Sequence, residues 1–320
     1  MNNQETLLNE IRKQISTSSS LNDAVAVALD ISYDAAHRRV SGKSKFSIDE
    51  TILLCQHYNL SLDTIFNNEK KMVVEKTKEV NSEADLVQYF RDSAAHLSEF
   101  NNTENLSIFY SAKDIPLFYT IGGSLLSKFK LYVWLNLLIG KENIPSFESF
   151  TISSQLQEHS SLIQNVFAKA TVHEIWNETT INSTIQQILY FFESGLLSIN
   201  NATELYQDVK RMLLNIEEKS SQNDIQYHLY QNDLLILNNS VLVKNEVKSK
   251  LFIPYTLLGY FITEDLDTTK NASEYFKYQM KNSKSLNLSG TRDRKLFFNK
   301  ANQKVDYYLQ RLNNQIDLLF

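Results

Sequence analysis

Between Ser32 and Ile48 the chain gathers Tyr33, Asp34, His37, Arg38, Arg39, Lys43 and Lys45, all side chains that hydrogen-bond or carry charge. Tyr33 and His37 stand four residues apart, as do Asp34 and Arg38. On a helix these four and Ser41 share one polar face, opposite Ile31, Ala35 and Val40. The chemistry this suits is recognition. An arginine can pair bidentately with guanine O6 and N7, and an aspartate can accept from cytosine N4 or orient the arginine. Up to Ile48 the segment sets four cations against Asp34 alone, although residues 1–70 together carry seven basic and nine acidic side chains. Only 8 of the 32 basic residues are arginine, and two of the eight are adjacent at Arg38 and Arg39, so positive charge is concentrated here. The same residues also suit a solvated surface or a protein contact.

Catalytic patterns are missing from the rest of the chain. There is no G-x-G-x-x-G, P-loop, H-E-x-x-H or G-x-S-x-G, and no histidine is followed two residues later by lysine. The six histidines are scattered, and His96 and His228 read as ordinary core or surface residues. A single cysteine, Cys55, excludes a disulfide framework and a cysteine-based zinc site; it reads as a small buried apolar residue rather than a redox sensor. Neither an enzymatic activity nor a cofactor is expected.

The polar face needs elements to hold it. Leu7, Leu8, Ile11 and Ile15 recur at helical spacing and predict a first helix over 5–15. The serine run 18–20 breaks it. A second helix runs from Asn22 to Leu29 with Val25, Ala26 and Leu29 inward. Asp30 tolerates the left-handed backbone of a sharp turn, Ser32 caps a third helix over Tyr33–Val40, and Gly42 ends it. Ser47 and Glu50 form a capping box for a fourth helix, with Ile52, Leu53 and Tyr58 as its apolar face, and Ser61-Leu62-Asp63 opens a short fifth helix ending near Phe66. Five short helices with a tight turn between the second and third make a helix-turn-helix unit.

Leu21–Phe66 resembles the DNA-binding domain of Cro and lambda-repressor-like regulators. The marks are Ala26, Ile31-Ser32 after the turn, Gly42 after the third helix and the closing Ser61–Phe66, and Asp34–Arg39 is similar to a group of bacterial one-component regulators. The family usually has glycine where Asp30 stands, and branched apolar residues where Ala36 and Arg39 stand. Val40 could take over the packing role of Arg39. The resemblance implies double-stranded DNA as partner, with the third helix in the major groove. Base-reading positions then fall on Tyr33, Asp34 and Arg38, with His37 beside them and Arg39 next in line. Asn22 and Ser32, at helix starts, suit phosphate, as do Lys43 and Lys45.

The remainder reads as a charged linker over 69–82 followed by a helical and α+β region over 83–320, a sensor or dimerisation part. Strands are expected at Leu106–Tyr110, at Ile225–Leu229, in a hairpin of Leu234–Leu237 with Val241–Val243 about Asn238-Asn239, and at Leu251–Ile253. Leu205, Val209, Met212, Leu213 and Ile216 mark a long helix with near-heptad spacing, read first as ordinary core and second as a pairing surface. Lys113–Pro116 reads as a strand-exit loop. The fold class is thus mainly α, with a five-helix N-terminal domain and an α+β region holding a small mixed sheet.

A hydrophobic share of 42% with 22% charged residues excludes wholesale disorder, and seven glycines and three prolines in 320 residues argue against an all-β sandwich. The longest apolar run, Leu131–Gly140, is about half the roughly 20 residues a membrane span needs. The start lacks a basic, then apolar, leader, so a cytoplasmic protein without membrane contact is expected. A net charge of −5 does not fit non-specific coating of nucleic acid. The expected role is a sequence-specific transcriptional regulator, probing half-sites as a homodimer with or without a small-molecule effector. The alternative is a protein-interaction or ligand-sensing module that does not bind DNA.

Overall fold

The structure, a computed structural model, describes residues 2–16, 19–66, 72–100, 105–140, 145–221, 226–288 and 290–317. Ser18, Ile225 and most of the first part of the expected linker lie outside the described residues. The chain is mainly helical with one mixed sheet, and it divides into two compact units, Met1–Val73 and Val74–Phe320.

The first unit holds α1 (Asn3–Gln14), α2 (Leu21–Leu29), α3 (Tyr33–Val40), α4 (Ile48–His57) and α5 (Leu62–Phe66). Side-chain caps open each of the first four: Asn2, Ser20, Ser32 and Ser47 accept from first-turn amides, and Glu50 completes the capping box of α4. Asp30 takes φ 52°, and its amide donates to the Ala26 and Val27 carbonyls, so α2 stops sharply and α3 starts three residues on. The core is small: Leu7, Leu8, Ile11, Val25, Ala36, Leu54 and Cys55 are buried, with Ile15, Leu29, Val40 and Tyr58 packed at its edge. The inner face of α4 is therefore Leu54 and Cys55. Ile52 and Leu53, expected inside, are 42% and 48% exposed. Burial raises the Cys55 thiol pKa, which suits packing and opposes easy oxidation.

The second unit contains β1 (Glu75–Lys76), α6 (Glu83–Ser98), β2 (Ser107–Ser111), α7 (Leu125–Ile139), α8 (Ser154–Lys169), β3 (Thr171–Trp176), α9 (Asn182–Glu193), α10 (Ile199–Ser221), β4 (Tyr227–Gln231), β5 (Val241–Lys244), β6 (Ser249–Pro254), β7 (Tyr260–Thr263), α11 (Leu266–Lys281), β8 (Lys284–Ser285) and α12 (Thr291–Asp317). Among the described residues the sheet has eight strands in the order β1-β7-β6-β5-β2-β3-β4-β8, larger than the sequence suggests. β2, β3 and β4 run parallel, joined by the helical crossovers α7–α8 and α9–α10 that such pairs require. The other pairings are antiparallel.

Three expectations change here. The hairpin about Asn238-Asn239 does not form, because its expected first arm is not a strand and β5 pairs with β2 and β6. Residues 234–237 are not a strand: Leu237 is buried and Leu235 packs beside it, while Leu234 and Ile236 face out. Residues 75–76, within the expected linker, form β1 against β7. Strand β3 itself, absent from the sequence reading, lies at the middle of the parallel set.

Alternation divides the sheet faces. Ile108, Tyr110, Val172, Trp176, Tyr227 and Leu229 join the main core under the helices, whereas Phe109, Ile175, Leu242 and Leu251 pack with Phe276 of α11 on the other side. Leu205, Val209, Met212, Leu213 and Ile216 of α10 all belong to the main core, so its near-heptad stripe is intramolecular packing.

Candidate nucleic-acid interface

Helix α3 buries Ala36 completely, with Ala35 and Val40 half-buried, and turns Tyr33, Asp34, His37 and Arg38 to solvent. The ring of Tyr33 is 51% exposed. Among the described residues, the side chains of Asp34, Arg38, Lys43 and Lys45 make no hydrogen bond or ion pair, and all four residues are exposed. Asp34 and Arg38 thus share an edge without pairing, which leaves the guanidinium uncommitted. Lys43 and Lys45 follow on the loop behind Gly42, whose φ of +76° turns the chain back from α3.

Arg39 belongs to a different environment. Its Nη2 lies 2.5 Å from Glu50 Oε1 and its Nη1 donates to the Ala35 carbonyl at 3.1 Å. The side chain is 21% exposed and that of Glu50 is 20% exposed. The hydrogen bond and the charge of Arg39 lower the Glu50 pKa, and the Arg39 pKa rises in return. Arg39 thus occupies the inward position where a branched apolar residue was expected. It braces the α4 cap and does not stand with the exposed group. Val40 packs at the core edge without displacing Ala36, so the register of α3 needs no rotation.

Asn22 and Ser32 act first as structural joints. Ser32 Oγ accepts from the Ala35 amide at 3.3 Å. Asn22 Nδ2 donates to the Tyr33 hydroxyl at 3.1 Å and lies 3.4 Å from His37 Nδ1, so the first turn of α2 fixes the exposed edge of α3. Asn22 Oδ1 is buried with no partner among the described residues.

One residue that sequence reasoning missed holds the far end. Gln4, on α1, donates through Nε2 to the Arg39 carbonyl at 2.7 Å and the Ser44 carbonyl at 2.9 Å, and its Oε1 accepts from the Phe46 amide at 3.0 Å. Its amide nitrogen and oxygen are both engaged by the backbone from the end of α3 to Phe46, the stretch that carries Lys43 and Lys45. Nothing in the spacing around residue 4 announces a partner about 40 positions away.

Buried polar clusters of the larger unit include those around Lys130 and Glu174. Lys130, 1% exposed, places Nζ 3.0 Å from Asp114 Oδ2, 3.2 Å from Thr184 Oγ1 and 3.1 Å from Gln187 Oε1. Glu174 of β3 is fully buried and accepts from the Tyr119 and Tyr227 hydroxyls at 3.0 and 3.1 Å and from Trp176 Nε1 at 2.9 Å. Burial raises its pKa to about 7 against the pull of these donors and of the Lys219 charge. On the opposite face, His173 stacks between Phe109 and His228, at 4.6 Å from each ring, and burial, aided by the His228 charge, holds its pKa at about 4. Among the described residues no group of three or more His, Cys, Asp or Glu is arranged to hold a metal ion. Nor is any described helix long and apolar enough to cross a membrane.

No model of a protein family, no curated protein and no solved structure matches the chain.

Proposed function

We propose that this protein is a sequence-specific DNA-binding transcriptional regulator whose first unit is a helix-turn-helix domain of the lambda-repressor-like kind. The observation that carries the reading is the polar edge of α3: Tyr33, Asp34, His37 and Arg38 are exposed together, Asp34 and Arg38 without a side-chain partner among the described residues, with Lys43 and Lys45 on the following loop. In this reading α3 enters the major groove, Arg38 reads a guanine edge, and Asp34 meets cytosine N4. The two lysines and the starts of α2 and α3 meet phosphates. Arg39 is left out of the contact set because Glu50 holds it.

One small unit makes few base contacts, so tight binding calls for two copies on half-sites about 34–36 Å apart. The work is done at the chromosome, which places the protein in the cytoplasm of a bacterium.

The test is selection of bound duplexes from a random pool by the full chain, followed by competition against non-specific DNA. The reading expects an enriched two-fold motif whose preference at one base pair relaxes in Arg38→Ala, while Lys43→Ala weakens all duplexes evenly and reduces the salt dependence. An unenriched pool rejects it, as does equal loss on specific and random DNA for Arg38→Ala.

A further inference from the structure

The second unit carries an open pocket of about 750 Å³ between the segment after β2 and the second halves of α8 and α10. Small-molecule sites typically measure about 300–1,000 Å³. One wall is aromatic: Phe118 and Phe167 stack with centroids 4.2 Å apart and planes 13° from parallel, and Tyr119 meets Phe167 edge-on at 5.8 Å.

The wall is tied in place. Gln164 Nε2 donates to the Ile121 carbonyl at 2.6 Å and to the Phe118 carbonyl at 3.3 Å, which straps the segment to α8. Gly122, at φ +97°, permits this approach, since a Cβ there would lie 2.0 Å from Gln164 Oε1. Beneath the pocket, Tyr119 donates to the buried Glu174, which does not itself line the space. A site held this way is pre-organised, and ordering it costs a ligand little.

The charges at the rim differ in what they have left to offer. Arg211 is paired with Glu204 and Asp208, and Asp208 also accepts from the Leu126 amide at 3.1 Å. Lys219 is different. It follows Met212 and Ile216 on one face of α10, by seven and three residues, and forms no ion pair among the described residues. Its charge is nonetheless felt by Glu174 below. Glu218, beside it, lines the space in the row of Arg211 and Asn215, and it too forms no ion pair among the described residues.

We propose that this pocket binds a small aromatic carboxylate, with its ring against Phe118 and Phe167 and its anionic group on Lys219. The stacked aromatic wall matches the ring, and the unpaired Lys219, on the face of Met212 and Ile216, matches the anionic group; Glu218 lines the rim on the side of Arg211. The inference concerns the second unit and stands or falls independently of DNA binding by the first.

The test is calorimetric titration of the full chain with 2-naphthoate and with 2-naphthamide, which has the same ring system without the charge. Naphthoate is expected to saturate one site per chain and to bind at least about tenfold tighter than the amide, the scale of one hydrogen bond to a charged group. Lys219→Met, at an exposed position, should abolish that preference without altering amide binding, and Phe167→Leu should weaken both ligands. Absence of saturable naphthoate binding overturns the proposal. So does equal affinity for acid and amide, undiminished naphthoate binding in Lys219→Met, or indifference of both ligands to Phe167→Leu. Retained selection of duplex DNA in any of these cases leaves the regulator reading intact.

Discussion

Arg39 Nη2 sits 2.5 Å from Glu50 Oε1, while its neighbour Arg38 points to solvent with no partner among the described residues. Two adjacent arginines therefore have separable roles. Arg39→Ala leaves Glu50 without its cation in a partly buried place and should lower the stability of the first unit by about 1 kcal/mol, the upper range for an ion pair of that exposure. Arg38→Ala should leave stability unchanged and cost about 1–3 kcal/mol of discrimination at one base pair. Thermal melting alongside competition binding separates the two. A stability loss in Arg38→Ala equal to that in Arg39→Ala contradicts the assignment.

Gln4 offers a second, more remote handle on the same surface. Its side chain makes three hydrogen bonds to the backbone of residues 39–46. Gln4→Ala should cost about 1–3 kcal/mol, because the half-buried Ser44 carbonyl and Phe46 amide lose the partner Gln4 supplies, while the Arg39 carbonyl keeps the Gly42 amide. The loop bearing Lys43 and Lys45 should loosen with it. Amide hydrogen exchange at Phe46 reports this directly, and protection there unchanged from the wild type refutes it.

The elements around α3 are legible because their signals are local. Asp30 in a left-handed turn, Gly42 after α3 and the Ser47–Glu50 box each act within four residues. The face of α4 is misread because Ile52 and Leu53 look like core residues, and the packing of α1 and α2 instead selects Leu54 and Cys55. Strand β3 is invisible for a related reason. Its Thr-Val-His-Glu-Ile-Trp sequence places an ionisable Glu174 on the buried face, where only the partners Tyr119, Tyr227 and Trp176 make it tolerable, and two of those come from distant segments. The strand order β5-β2-β3-β4 likewise depends on long-range pairing that defeats the local hairpin signal at Asn238-Asn239.

Lys130 tests how the parallel strands are anchored to their crossover helices. Its ammonium joins α7 to Asp114 beyond β2 and to Thr184 and Gln187 on α9. Lys130→Met should destabilise the second unit by about 3 kcal/mol, the lower end for breaking a buried pair, since the Asp114 side chain keeps 26% exposure to water. Adding Asp114→Asn should recover part of that loss by removing the stranded charge. Urea denaturation of the single and double variants gives the comparison. A double variant weaker than the single one by the full cost of a second lesion rules out the pairing as the cause.

Glu174 and His173 are consecutive on β3, face opposite sides of the sheet, and bias stability with pH in opposite directions. Glu174 keeps its proton in the folded protein up to about 7, against an ordinary value of 4.5. Between those values the native state binds more protons than the unfolded chain, so this group erodes stability as pH rises from about 4.5 to about 7. His173 loses its proton at about 4 in the folded protein, against an ordinary 6.5, so its contribution erodes stability as pH falls from about 6.5 to about 4. Each shift corresponds to about 3 kcal/mol at most, and over the shared window the two slopes cancel. Glu174→Gln should therefore unmask a stability that climbs with pH between about 4.5 and 6.5, whereas His173→Phe, stacked on Phe109, should unmask one that falls over the same range. Denaturant midpoints measured from pH 4.5 to 8 decide it: single variants that both retain the wild-type profile show that neither group titrates as its burial dictates.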